Sequence, residues 1–209
     1  MPRCNSVFGF FGQNSPLMST REQIIDAALS VVRAQGVVAL TLDEAARIAG
    51  ISKGGVLYHF KSKEALIQGM VARLAGQCES LQQEHYDRLA PGPNRWARAL
   101  VATSFDPAAP TMDPAGCALL AAIATNPSLL EPLEGTIDTA FRRLTADSED
   151  PSMALLVALA MDGLWLHRLV GSPVMDETRR LAIREKALEL LGDGAAAGGT
   201  SDPKIARTA

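Results

Sequence analysis

Aromatic residues make up only 5% of the 209-residue chain, and no stretch of useful length alternates polar and apolar residues. Aromatic and β-branched residues are the strand formers, so a sheet-built fold is not expected, and the abundant Ala and Leu point to helices. The three cysteines, Cys4, Cys78 and Cys117, are odd in number and form no C-x-x-C. A disulfide framework is therefore not expected, and a reducing cytoplasm suits the chain better. Long apolar runs are also missing. The longest, from Met153 to Met161, falls well short of the roughly 18 residues that a membrane span needs. The run from Val7 to Phe11 is too short for the apolar part of a signal peptide, and no A-x-A site follows it. Nor is there an excess of positive charge: 20 Lys and Arg stand against 23 Asp and Glu, a net charge of −3. Any affinity for nucleic acid must come from a local patch.

What is present suffices for a core. Apolar types reach 47% and charged types 21%, the mix of a folded chain whose length fits one large domain or a small and a medium one. Residues 1–17 are read as a loose extension. Thr20 is the expected cap of a helix over 21–35, with Ile25, Ala28, Leu29 and Val32 on one stripe and Gly36 closing it. Thr41 caps a two-turn helix over 42–49 with Asp43 and Glu44 in its first turn, and Gly50 stops it. Ser52 caps a short helix over 53–60. Ser62 opens a long one to about Leu89, with Leu66, Met70, Leu74, Cys78 and Leu81 on its apolar face. Further helices are predicted near 94–105, 114–125, 127–146, 151–170 and 176–191, separated by Pro- and Gly-containing breaks. From Gly192 the composition is that of a disordered tail. The fold class is all-α, with about nine helices.

Residues 41–60, TLDEAARIAGISKGGVLYHF, spell a short helix, a tight turn at Gly50-Ile51 and a second short helix. Ala45, Ala46, Ile48 and Ala49 let the two helices pack closely, and Ile51 and Val56 plug the corner, as a helix-turn-helix requires. Between Glu44 and Glu64 there is no acid, while Arg47, Lys53, Lys61, Lys63 and His59 lie in that window. Such a focused patch is the footprint of phosphate contact. Gly54 and Gly55 let backbone approach a phosphate or base edge. Tyr58 and His59 can donate hydrogen bonds to phosphate oxygens.

The segment TREQIIDAALSVVRAQGVVALTLDEAARIAGISKGGVLYHFKSKEAL, from about Thr20 to Leu66, resembles the DNA-binding domain of TetR-family transcriptional regulators. The resemblance rests on an Ala-rich first helix ending in Gly36, on Thr41, on Ile48-Ala49-Gly50 and on Ser52-Lys53-Gly54. His59-Phe60 and Lys63-Glu64-Ala65-Leu66 complete it. One position departs: where the family usually has Tyr two residues before the His of the His-Phe pair, this chain has Leu57, and its tyrosine is Tyr58. One residue is about 100° around a helix, which turns Tyr58 toward DNA. The resemblance implies a homodimer with a helix-turn-helix domain at 18–66 and an effector-binding, dimerising domain at 67–191, before the tail 192–209. It implies a repressor released from a pseudo-palindromic double-stranded operator by a small-molecule effector. The last two helices would form the dimer bundle through Leu155, Leu159, Leu166 and Leu169 and through Leu181, Leu188 and Leu191.

The expected DNA contacts are Thr41, Arg47, Ser52, Lys53, Gly54, Gly55, Tyr58, His59 and Lys63. Met161 and Trp165, four residues apart and so on one helix face, are candidates for an effector pocket with Asp162; Trp96, Phe105 and Met112 are weaker ones. No catalytic residue, metal site, cofactor or membrane partner is expected. Gly50 to Gly54 reads G-x-S-x-G, but a helix precedes it where the nucleophile elbow of hydrolases needs a strand. Gly192-Asp193-Gly194 echoes a dinucleotide loop without the preceding strand. His85 and His167 have no ligand partner at helical spacing. Cys78 and Cys117 read as small buried hydrophobes, with a redox pair as the alternative. The competing functions are a helical ligand-binding protein or enzyme that does not bind DNA, and an activator of the same fold.

Overall fold

A computed structural model describes residues 18–110 and 113–192. Among the described residues there are nine α-helices and no strand: α1 (Thr20–Ala39), α2 (Leu42–Ala49), α3 (Lys53–His59), α4 (Lys63–Arg88), α5 (Arg95–Phe105), α6 (Pro114–Thr125), α7 (Glu134–Ala146), α8 (Pro151–Leu169) and α9 (Glu177–Leu190). The expected loose extension, the tail beyond Gly192, Cys4 and Met112 lie outside the described residues.

Local chemistry explains most helix ends. Thr41, Ser52 and Ser62 accept hydrogen bonds from the N–H groups of Glu44, Gly55 and Ala65 at 3.0, 3.1 and 3.1 Å, satisfying donors that a helix start leaves unpaired. The cap of α1 is Ser19, which accepts from Glu22 N–H at 3.3 Å; Thr20, expected in that role, is the first helical residue instead. Gly36 breaks α1 at φ 79°, and Gly50 ends α2 in the left-handed conformation at φ 67°. The predicted single helix over 127–146 is two pieces: a 3-10 segment, Pro127–Leu133, and then α7. Pro132 lies inside the first piece and has no N–H for an α-helical ladder.

The core has two centres. The first joins Ile24, Ile25 and Leu29 of α1 to Ala45, Val56, Phe60 and the first two turns of α4, and takes in Leu119 of α6 and Leu129 of the 3-10 segment. The second joins Ala97 and Val101 of α5, Leu144 of α7, Val157, Met161 and Leu164 of α8, and Ala187 and Leu191. Helix α4 is 26 residues long, but its buried residues all fall between Leu66 and Val71. The rest of it runs past the first centre and walls the space beside the second. At the junction, Arg33 grips Asp113, the α6 cap, with its Nε donating at 2.9 and 3.0 Å to the two carboxylate oxygens.

Helix α8 corrects one expectation. Read as a whole helix rather than as the run 153–161, its 19 residues are long and apolar enough to cross a membrane by length and composition. Its apolar surface is divided: Ala154, Val157, Met161 and Leu164 enter the core, while Leu156, Leu159 and Leu166 stay exposed.

Candidate functional site

Helices α2 and α3 pack as the 41–60 pattern predicts. Val56 is fully buried in the corner and Ile51 packs against the same core. Ile48, expected between the helices, is instead 45% exposed. The outer face of α3 carries Lys53, Gly54 and Tyr58, all exposed, and Tyr58 is 76% so. The Tyr58 ring meets His59 edge-on at 5.0 Å between centroids, and Lys61 Nζ lies 6.0 Å from its centre. Thr41 and Ser52 accept hydrogen bonds as caps, yet each hydroxyl keeps its O–H to donate.

The two glycines separate in role. Nothing lies within 4 Å of a Cβ built on Gly54, so its face is open. A Cβ on Gly55 would stand 2.8 Å from Ile51 Cγ2, and Gly55 N–H is already donated to Ser52 Oγ. Gly55 therefore has a place in the turn, with its N–H turned to the Ser52 cap.

The basic patch is also smaller than the acid-free window suggests. Arg47 is held by Glu44, with Nε donating at 2.8 Å and Nη2 at 2.6 Å. Lys53 Nζ lies 2.9 Å from Asp43 Oδ1. The two acids just before the window, Asp43 and Glu44, fold back on it from the first turn of α2. The Arg47 bond holds the Glu44 carboxyl below its usual range. Lys61 and Lys63 are not in such pairs among the described residues; Lys63 Nζ donates to the Val38 carbonyl at 3.2 Å, which fixes it at the mouth of α4.

A second feature lies between α4 and α8. Cavities of 230, 260 and 410 Å³ all touch Cys78 and Trp165. Phe105, Met161, Asp162 and Trp165 line the smallest, and Trp96, Asp162 and Trp165 line the largest. The residues singled out from sequence thus meet around one space, Met112 aside. Trp96 stacks on Tyr86 at 4.1 Å, and the Arg143 guanidinium lies 5.2 Å from its ring while pairing with Glu79 at 2.7 Å. The walls also include Gln82 and Cys78 of α4. Sequence reading missed Gln82 and took Cys78 for core, because α4 carries one unbroken stripe and nothing in that stripe shows where the core ends. Cys78 and Cys117 are not joined to each other by a disulfide.

The remaining candidates find structural places. His85 Nε2 bonds Asp106 Oδ2 at 2.9 Å, joining α4 to the end of α5. Of the proposed dimer stripe, Leu159, Leu166 and Leu181 are exposed, whereas Leu191 is 1% exposed and belongs to the second core centre. Leu156 and Val170 add to the exposed face. No group of three metal-ligating side chains exists among the described residues.

Comparison with known proteins matches two family models. "Bacterial regulatory proteins, tetR family" covers residues 24–70, and "Tetracyclin repressor-like, C-terminal domain" covers 94–192. The uncharacterized HTH-type transcriptional regulator TtgW of Pseudomonas putida is 51% identical over 53 residues, 25% of this chain and 40% of that protein. The matched stretch thus spans well under half of that relative. The regulator BetI of Serratia proteamaculans is 26% identical over 177 residues, 78% of this chain and 87% of BetI. Among solved structures, a TetR-family regulator from Rhodococcus sp. aligns with a TM-score of 0.64 at 18% identity, covering 82% of this chain and 96% of that one. The multidrug binding protein EbrR, complexed with imidazole, aligns with a TM-score of 0.60 at 25% identity, covering 85% and 98%.

Proposed function

The chain belongs to the TetR family of bacterial regulatory proteins, and from that premise we propose that it is a ligand-responsive DNA-binding regulator, a repressor acting in the cytoplasm as a homodimer. The observation that carries this reading is the outer face of α3: a buried Val56 anchors the helix while Lys53, Gly54 and Tyr58 stand clear of the protein. In this reading α3 enters the major groove. Thr41, Ser52, His59, Lys61 and Lys63 hold phosphates, Lys53 leaves Asp43 for phosphate, and Gly54 and Tyr58 meet base edges or the adjoining backbone. Arg47, held by Glu44, flanks the interface. The exposed Leu156, Leu159, Leu166 and Leu181 support a dimer through α8 and α9, since a helix face this apolar packs against another.

The reading head spans 18–66 and the effector-binding and dimerising part 67–191, and the space around Trp165 is the effector site. Effector binding favours a separation of the two heads that no longer fits the operator, to the extent that it binds that state more tightly. The description of EbrR as multidrug binding supports a small-molecule effector.

A salt titration of duplex binding tests the reading. Affinity should fall steeply with salt, and Lys63→Ala should weaken binding to every duplex while lowering the salt slope by about one. An unchanged slope removes Lys63 from the phosphate contacts, and duplex binding indifferent to salt contradicts the reading.

A further inference from the structure

Asp162 is the acid at the meeting point of the cavities: it lines both the 230 and the 410 Å³ space. It stands three residues before Trp165 on α8, so both point into the same region. Its carboxylate forms no ion pair or hydrogen bond among the described residues. The cavity arginines are engaged elsewhere. Arg143 pairs with Glu79 at 2.7 Å, and Arg180 pairs with Glu177 while lying 5.3 Å from the Phe105 ring. Arg168 is exposed at the rim of the smaller cavity. Asp162 is an exposed residue, and part of its surface lines both cavities. Partial burial raises its carboxyl above the ordinary range. A carboxylate that no protein cation neutralises, set beside apolar and aromatic walls, is complementary to a cation that carries a ring.

The walls beside it are apolar. Leu100, Met161 and Trp165 face the smaller space, and Leu133, Ile137 and Trp96 the larger. We propose that the effector is an organic cation, a protonated amine or quaternary ammonium attached to a flat ring, with its positive nitrogen at Asp162 and its ring against Trp165 and Met161. This rests on the effector reading above and names the chemistry of that site.

Three probes that share one ring and differ in charge test it: 1-naphthylmethylammonium, 1-naphthylmethanol and 1-naphthoate, titrated calorimetrically into the full-length protein. The ammonium should bind about tenfold or more tighter than the alcohol, and the carboxylate weakest. In Asp162→Asn the ammonium's advantage should disappear, in a variant that melts no earlier than the parent because it removes an unpaired charge. Equal binding of ammonium and alcohol, or tightest binding of the carboxylate, overturns the cation and leaves the cavity as an effector site. Persistence of the advantage in Asp162→Asn overturns the role of Asp162. If none of the three binds the folded protein, the proposal and the effector reading of this cavity fall together.

Discussion

The two halves of this chain are held together differently. In the first, every helix from α1 to α4 begins on a serine or threonine whose side chain accepts a backbone N–H, and Ile24, Ile25, Leu40 and Val56 are wholly buried. In the second, aspartates cap α6, α8 and α9, but α5 starts at Asn94 with φ 57° and α7 at Leu133, neither with a side-chain cap, and cavities of 230 and 410 Å³ adjoin the packing. Leucines stand exposed along α8. A unit whose helices are each capped and seated on a filled core presents one fixed shape, which groove recognition needs. A unit with internal space and uncovered apolar surface has room for other occupants, in the proposed function a ligand within and a second copy outside.

The largest expected effect separates the halves by truncation. Ile25→Ala, at a site with no exposure, should lower the unfolding free energy in urea by about 2–5 kcal/mol. Ile137→Ala, 40% exposed on the wall of the larger cavity, should stay within about 0.5 kcal/mol. Similar losses at the two sites would erase the distinction between a tight head and an open body.

A smaller effect probes the joint. Arg33→Met removes the grip on Asp113, a pair 43% and 16% exposed, and should cost no more than about 1 kcal/mol near neutral pH. Chiefly because Arg33 hydrogen-bonds it, the Asp113 carboxyl is held below its usual range. Its contribution is therefore complete above the unfolded value of about 3.9 and is lost as pH falls through the lower folded value. The stability gap between parent and variant should close in acid. A gap that persists there would mean that Arg33 acts through packing rather than through the carboxylate.

Legibility in the sequence follows the same division. Thr41, Gly50, Ser52 and Ser62 announce their roles because a cap or a left-handed stop depends on a few adjacent residues. The misses in the head concern what space brings back: Glu44 and Asp43 turning onto Arg47 and Lys53, and Ile48 facing out. In the body, helical spacing on α8 placed Met161 and Trp165 on one face, and their meeting with Trp96 and Phe105 follows from packing between α4, α5 and α8. Spacing does not show how far α4 outruns its core, so Cys78 and Gln82 escaped. Nor does it show which leucines of α8 and α9 the chain keeps for itself, as Leu191 demonstrates. The division of 127–146 into a 3-10 segment and α7 has its local signal in Pro132, which lacks an N–H for the α-helical ladder.

That the first half reads duplex DNA as one of a symmetric pair is tested most directly by selection from a pool of random duplexes with the purified chain at low salt. Sequences enriched by it should contain an inverted repeat whose half-sites lie about one helical turn apart. Enrichment of an unrepeated site, or none at all, would contradict a paired reading head.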